Sequence, residues 1–309
     1  MSTESPHREF LDSAVLARLS ALTVNARAPM LGSVTGIHRS ATRGSSVEFA
    51  EYRKYVPGDD IKNLDWRVYA RTDRFYMKEF EADTNLRCVL VMDTSKSMAF
   101  AGKDGVSKLA YAKKLAATLA YLLVHQGDAV GLTCFADKAV TEIPPRRSPS
   151  HLRHIFDTIA TVEAHGPSEI VEMLHQIAEK VRRRALVVVM SDFFTEVEPL
   201  LNAFQHMRFQ KHDLAVFHLL DKQEINFDFD RPIRFVDLES HFQMLTDPAL
   251  IAPGYREEVD RYLEAIQRGS REFGVDYNRV MLDDDYEKVL AAFLLQRLKK
   301  APGAGGAAR

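Results

Sequence analysis

The sequence is poor in the features that announce several large classes of protein. Its 309 residues contain two cysteines, Cys88 and Cys134, too few for a disulfide-built scaffold and in keeping with a reducing compartment. No apolar run approaches the ~20 residues that cross a bilayer as a helix. The opening MSTESPHREF lacks the charged-then-apolar order of a secretory leader. An excess of one charge is missing too. The 41 Lys and Arg against 43 Asp and Glu leave a net charge of −2, which supplies no bulk field for nucleic acid or an anionic membrane. Neither a G-x-S-x-G elbow nor an H-E-x-x-H helix occurs, so two common hydrolase designs are absent. The loop GKDGVSK (102–108) has the glycine and lysine of a phosphate-binding loop but not its GK[ST] ending. A soluble cytoplasmic protein is expected, with no membrane span and no nucleic-acid partner.

What is present is an ordinary globular balance, 46% hydrophobic and 27% charged. Residues 8–26 carry Leu11, Val15, Leu16, Leu19 and Leu22 at helical spacing. The stretch 47–83 is built around a strong turn at Pro57-Gly58-Asp59-Asp60, where proline sets the first corner and glycine accepts the second. From residue 86 the pattern changes. Runs at 86–93, 128–136, 185–192 and 212–220 read as fully buried strands, with a short edge strand at 138–144. Helices are expected near 107–126, 149–163, 169–183 and 196–209, followed by a strand at 233–238, a helix at 255–273, a strand at 275–281 and a helix at 284–299. Continuous Val, Leu and Ile strands alternating with helices indicate an α/β fold with a mostly parallel sheet covered on both faces. Three stretches are expected: an N-terminal helix and extension over 1–83, the main α/β domain over 84–299, and a disordered tail over 300–309.

Two buried strands end alike, VLVMD at Asp93 and VVVMSD at Asp192. Ligands of open α/β sheets bind beyond the carboxyl ends of the strands. If the two strands are neighbours, both carboxylates share one crevice. Ser95 and Ser97 follow Asp93 at alternate positions, so all three oxygen-bearing side chains can converge in an extended loop. Carboxylates and hydroxyls suit a hard divalent cation rather than zinc. The competing reading is local: Asp-Thr-Ser after a strand also caps a following helix.

The run DTSKSM resembles the metal-ion-dependent adhesion site (MIDAS) of von Willebrand factor A (vWA) domains. That resemblance implies a Rossmann-like vWA fold and a ligand set of Asp93, Ser95, Ser97, a later hydroxyl matched by Ser168 in HGPSEIVEML, and Asp192. Thr161 and Thr195 compete with Ser168 for the fourth place. The segment YRKYVPGDDIKNLDWRVYAR (52–71) is similar to a signature of the DUF58 family through Tyr55, Pro57, Gly58, Asp59, Asp60, Asp65, Trp66, Ala70 and Arg71. The resemblance implies a vWA domain preceded by an N-terminal extension and association with MoxR-type AAA+ ATPases in assembly or chaperone-like complexes. It implies Mg²⁺, or Mn²⁺ or Ca²⁺, as cofactor. The expected function is metal-dependent protein–protein binding, with the ion receiving a partner's carboxylate.

No enzymatic activity is expected. Phosphatases of the haloacid-dehalogenase type need Asp-x-Asp, the second acid protonating the leaving group, and that place is Ser95 here. A metal-dependent phosphoesterase and a scaffold without metal stand as alternatives. The signature residues are read as structural. Trp66 is expected to anchor the extension against the main domain, and Asp59 and Asp60 to hold the turn. Arg67, Arg71 and Arg74 are expected to pair with nearby acids, and His151 and His154 to lie on the surface. The acids at 283–285 are expected to favour the start of the last helix.

Overall fold

The computed structural model describes residues 10–25, 48–54, 65–81, 86–102, 105–227, 229, 233–236 and 243–300. Along the chain, α1 (Ser13–Leu19) and β1 (Glu48–Lys54) precede α2 (Trp66–Thr72) and β2 (Tyr76–Glu81). The main sheet is then built from β3 (Arg87–Asp93), α3 (Lys108–His125), β4 (Ala129–Phe135) and β5 (Ala139–Arg146), followed by α4 (Pro149–Thr161) and α5 (Ile170–Lys180). It continues through β6 (Leu186–Ser191), α6 (Val197–Phe209), β7 (Asp213–Leu220) and α7 (Lys222–Asn226). The strands β8 (Ile233–Val236) and β9 (Gln243–Thr246) form a hairpin ahead of α8 (Pro248–Glu272), β10 (Asp276–Met281) and α9 (Tyr286–Lys300).

Six strands make one sheet in the order β10-β7-β6-β3-β4-β5. All neighbours run parallel except β5, which turns back antiparallel along β4 at the edge. Edge position explains how Pro144 and Pro145 lie in a strand, since a missing N–H there removes no central ladder bond. Close approach of β5 also requires Gly131, where an added Cβ would stand 2.5 Å from the Ile143 carbonyl oxygen. The sheet divides two apolar layers. Cys88, Leu90 and Met92 of β3 face α1, α3, α4 and α9, whereas Val89 and Val91 face α5, α6 and α8. This alternation on a strand buried on both sides is why β3 reads as one unbroken apolar run.

The expected α/β architecture is borne out, with differences at its margins. Helix α1 begins at Ser13 because Asp12 caps it, accepting from the Ala14 and Val15 amides. It ends at Leu19, and the chain then runs to Val24 under a clamp from Gln126, which accepts from the Val24 amide and donates to the Leu22 carbonyl. Val15, Leu19 and Val24 lie in the same apolar layer as α3 and α9. Helix α8 begins seven residues before the expected 255, capped by Asp247 with Pro248 at its first position. Pro253-Gly254 reads locally as a break, but packing of α8 against α6 and α7 carries the helix through it. Helix α7 and strand β9 are too short to register in the apolar pattern.

Trp66 corrects the sequence reading. It is 60% exposed and meets the Tyr69 ring edge-on, with centroids 6.2 Å apart, while Tyr69 stacks on Phe75. As the first residue of α2 it projects from the short helix, and the neighbouring aromatics pack with each other. Asp65 is buried and accepts from the Val68 amide at 3.2 Å, so it holds the start of α2. Arg71 and Arg74 are exposed. Tyr55, Pro57, Gly58, Asp59, Asp60, the Arg67 side chain and the tail 301–309 lie outside the described residues. His151, expected on the surface, is partly buried and bonds the Val130 carbonyl at 2.8 Å. Both cysteines are buried and free. Asp285 accepts from the Glu287 amide at 3.0 Å, as an acid at the start of α9 should.

One buried ion network ties α9 to the amino-terminal ends of β7 and β10. Arg297, fully buried, donates to Asp213, to Asp276 at 2.7 Å and to the Asn25 carbonyl at 2.7 Å, and Lys300 adds a contact to Asp276 at 2.9 Å. Removing one partner of such a network strands buried charge and costs about 3–5 kcal/mol. Arg297→Met is therefore expected to lower unfolding free energy by about that amount in urea titration; a loss within experimental error would show that the network is not a structural tie.

Candidate functional site

The strand order reverses between β3 and β6. These adjacent parallel strands send their connections to opposite sides of the sheet, leaving a crevice beyond their carboxyl ends. Asp93 is the last residue of β3, and Ser191 the last of β6. Parallel register pairs Met92 with Met190, so Asp93 and Ser191 stand side by side.

Four serines gather around Asp93. Its Oδ1 accepts from the Ser95 amide at 2.9 Å, and its Oδ2 accepts from Ser191 Oγ at 2.6 Å and Ser168 Oγ at 2.9 Å. Ser95 Oγ and Ser97 Oγ lie 3.0 Å apart. Ser95 occupies the cap position of a 3-10 turn over Lys96–Ala99, yet its hydroxyl makes no capping bond. Local capping therefore does not account for where that hydroxyl lies. Ser168 is brought in by backbone stitching. The Lys96 amide bonds the Gly166 carbonyl at 2.9 Å, the His165 amide bonds the Thr94 carbonyl at 2.8 Å, and the Glu169 amide bonds the Ala136 carbonyl at 3.0 Å. Gly166 takes a φ of 66° in this turn, which glycine adopts without steric cost. Of the competitors, Thr161 bonds carbonyls within its own helix α4, and Thr195 follows Phe194 in the loop leading to α6.

Asp192 lies beside this cluster with both oxygens engaged, Oδ1 by the Phe194 amide at 3.4 Å and Oδ2 by Lys108. Lys108 Nζ donates to Asp192 Oδ2 at 3.0 Å and to Glu224 Oε1 at 2.5 Å. Lys108 and Asp192 are fully buried. The ammonium also lies 4.6 Å from the Phe194 ring centroid and 5.6 Å from that of Phe100. Glu224 is fixed by the capping box of α7, accepting from the Asp221 amide, and its carbonyl accepts from Tyr255 of α8 at 2.8 Å. Phe193, at a φ of 50°, turns the chain after Asp192, and its carbonyl accepts from Tyr262 of α8.

Electrostatics follow from this geometry. Burial, then the charge of Asp192, pushes Asp93 up to about 6, against the bonds from Ser191 and Ser95. Burial works against the charge of Lys108, but Asp192 and Glu224 outweigh it and hold the ammonium above its ordinary value. Burial raises Glu224, opposed by Lys108. His218, beside Ser191 in the register, is pushed down to about 4 by burial; its Nδ1 meets the Tyr277 hydroxyl at 2.9 Å and its Nε2 has no hydrogen-bond partner.

The structure thus joins Asp93, Ser95, Ser97 and Ser168 in one hydrogen-bonded cluster and puts Asp192 at its edge. Ser191, Lys108, Glu224 and His218 were missed by sequence reasoning. Ser191 could be found only from the β3–β6 register. Lys108 carried one local signal: a cation in the first turn of a helix opposes the helix dipole. Among the described residues no group of three or more His, Cys, Asp or Glu is placed to hold a metal ion. The remaining oxygens around Asp93 are hydroxyls.

Because Asp93 is raised in the folded state, the unfolded chain loses this proton first as pH rises from 4 to 6, and ionised Asp93 opposes folding above about 6. In EDTA, Asp93→Asn is expected to melt higher than the native protein at pH 7.5, with the gap closing toward pH 5. A variant that melts lower at pH 7.5 in scanning calorimetry would contradict this electrostatic reading.

Among the described residues no helix is long and apolar enough to cross a membrane. The chain is 26% identical over 301 residues to an uncharacterized protein of Mycobacterium tuberculosis, Rv1480, covering 94% of this chain and 92% of that one. It is 26% identical over 148 residues to YeaD of Bacillus subtilis, covering 48% of this chain and 35% of the relative. Among solved structures it is similar to BatB of Bacteroides thetaiotaomicron, with a TM-score of 0.47 at 16% identity over 70% of this chain and 100% of that one. It is also similar to the SpRpn10 VWA domain, with a TM-score of 0.39 at 10% identity over 73% of this chain and 100% of that one. The family model described as "Protein of unknown function DUF58" matches residues 51–261, and the chain belongs to that family.

Proposed function

We propose that this protein is a divalent-metal-dependent protein-interaction module, acting by binding rather than catalysis, and that its partner is a MoxR-type AAA+ ATPase. The observation that carries the metal part is the convergence of Ser95, Ser168 and Ser191 on the buried Asp93, with Asp192 close enough to raise its pKa. Like charges forced together in a dry crevice are what a cation relieves. The donor set is all oxygen and fits a hard ion such as Mg²⁺, with Mn²⁺ and Ca²⁺ as relatives. Asp93, Ser95, Ser97 and Ser168 would hold it, with Asp192 contributing through Oδ1, the oxygen not bonded to Lys108. When bound, the ion supplies a positive charge that these groups neutralise incompletely, able to accept a partner's carboxylate.

Surface around the crevice suits such a contact. Phe194 is 53% exposed beside Asp192 and offers an apolar face next to the charge. Complementary packing there would add affinity to the charge-assisted contact. The ATPase assignment rests on the DUF58 resemblance. A phosphoesterase reading lacks a second acid: the position two residues after Asp93 is Ser95, which cannot protonate a leaving group as a carboxylic acid does.

Addition of Mg²⁺ or Mn²⁺ is expected to raise the melting temperature, and Asp93→Ala to abolish the rise. Capture of a MoxR-type ATPase by the native protein should require the metal and fail in EDTA. Melting unaffected by either metal, with capture equal in EDTA, would refute the proposal and leave the scaffold reading.

A further inference from the structure

The buried ammonium of Lys108 is unexplained by the ligand set. It opens α3 directly after the cap residue Ser107, at the helix end where the dipole disfavours a cation. It is fully buried, which also disfavours its charge. A side chain placed against both preferences is held by something specific, here Asp192 Oδ2 at 3.0 Å and Glu224 Oε1 at 2.5 Å.

We infer that Lys108 is a built-in counter-cation that weakens the crevice's hold on a divalent ion and keeps Asp192 from full engagement with it. The inference rests on the metal reading above. Asp93 and Asp192 together would match the charge of one divalent ion, but the Lys108 ammonium, bonded to Asp192, offsets part of that match at the ion itself. Lys108 holds Oδ2 of Asp192, which leaves for an ion beside Asp93 chiefly Oδ1, whose one bond, from the Phe194 amide, is long at 3.4 Å. The ammonium also repels the incoming ion through a crevice of low dielectric. Glu224 limits both effects. It draws Lys108 away from Asp192 and is itself fixed by the amide of Asp221 and by α7. The arrangement leaves the ion loosely neutralised, which favours an acidic partner as its last ligand. Lys108 is a positioning residue in this account: it holds Asp192 and touches the ion only through its field.

Lys108→Met alone would strand the buried Asp192 and the partly buried Glu224, so the test pairs it with Glu224→Gln and uses Glu224→Gln alone as the opposing variant. Isothermal titration with Mg²⁺ gives the dissociation constant of each protein, and melts in EDTA report folding. The double variant keeps the same net charge in the crevice but frees Asp192 Oδ2 and removes the cation bonded to it, so it is expected to bind Mg²⁺ about tenfold or more tightly than the native protein. Glu224→Gln alone, which leaves Lys108 to Asp192, is expected to bind several-fold more weakly. Mg²⁺ binding by the double variant where the native protein shows none would also support the counter-cation role. Equal or weaker binding by a folded double variant, with measurable binding by the native protein, overturns this inference alone. Should the double variant not fold, unchanged binding by Glu224→Gln overturns it. Absence of binding in every protein overturns the metal reading and this inference together.

Discussion

Two carboxylates close enough to repel each other in a water-poor crevice are the constraint around which this site is arranged. Asp93 ends β3 and Asp192 directly follows the last residue of β6, so the parallel ladder between these strands keeps the two acids close. Their repulsion adds to desolvation, and several nearby polar groups offset it. Ser168 and Ser191 donate to Asp93, the Ser95 amide donates to its other oxygen, and Lys108 donates to Asp192. Such a site carries a standing cost to folding, the usual mark of a functional position rather than a stabilising one.

The surrounding fold is built to bear that cost. Two apolar layers cover the sheet, and the ion network at Arg297 fastens α9 to the opposite ends of β7 and β10. The buried ion network thus lies at the amino-terminal end of the sheet, and the carboxylate crevice at the carboxyl end. Helix α8 spans both parts of the Lys108 surroundings: Tyr255 bonds the Glu224 carbonyl and Tyr262 bonds the Phe193 carbonyl. The side chains that flank Asp192 are therefore anchored to one long helix.

Much of this was legible in the sequence because it depends on local pattern. Buried strands announced themselves as continuous Val and Leu, and Asp93, Ser95 and Ser97 by alternate spacing after one of them. The partners that were not legible depend on register or on distant segments. Ser191 matters because β6 lies against β3 with residue 191 beside 93, which composition cannot reveal. Glu224 belongs to a five-residue helix with too few apolar positions to show a period. Trp66 misled because size suggested burial, whereas its place at the start of a short helix turned it outward. The helix expected from 255 begins earlier because packing along the rest of α8 outweighs the local breaker Pro253.

The central claim is that Asp93, Ser95, Ser97 and Ser168 enclose a divalent ion beside Asp192. The most direct measurement is anomalous diffraction from crystals grown with Mn²⁺. The account predicts one strong peak within bonding distance of Asp93 and the serine hydroxyls, with Lys108 still bonded to Glu224. An empty crevice at saturating Mn²⁺, or a peak elsewhere on the molecule with Asp93 still bound only by Ser95, Ser168 and Ser191, would contradict it.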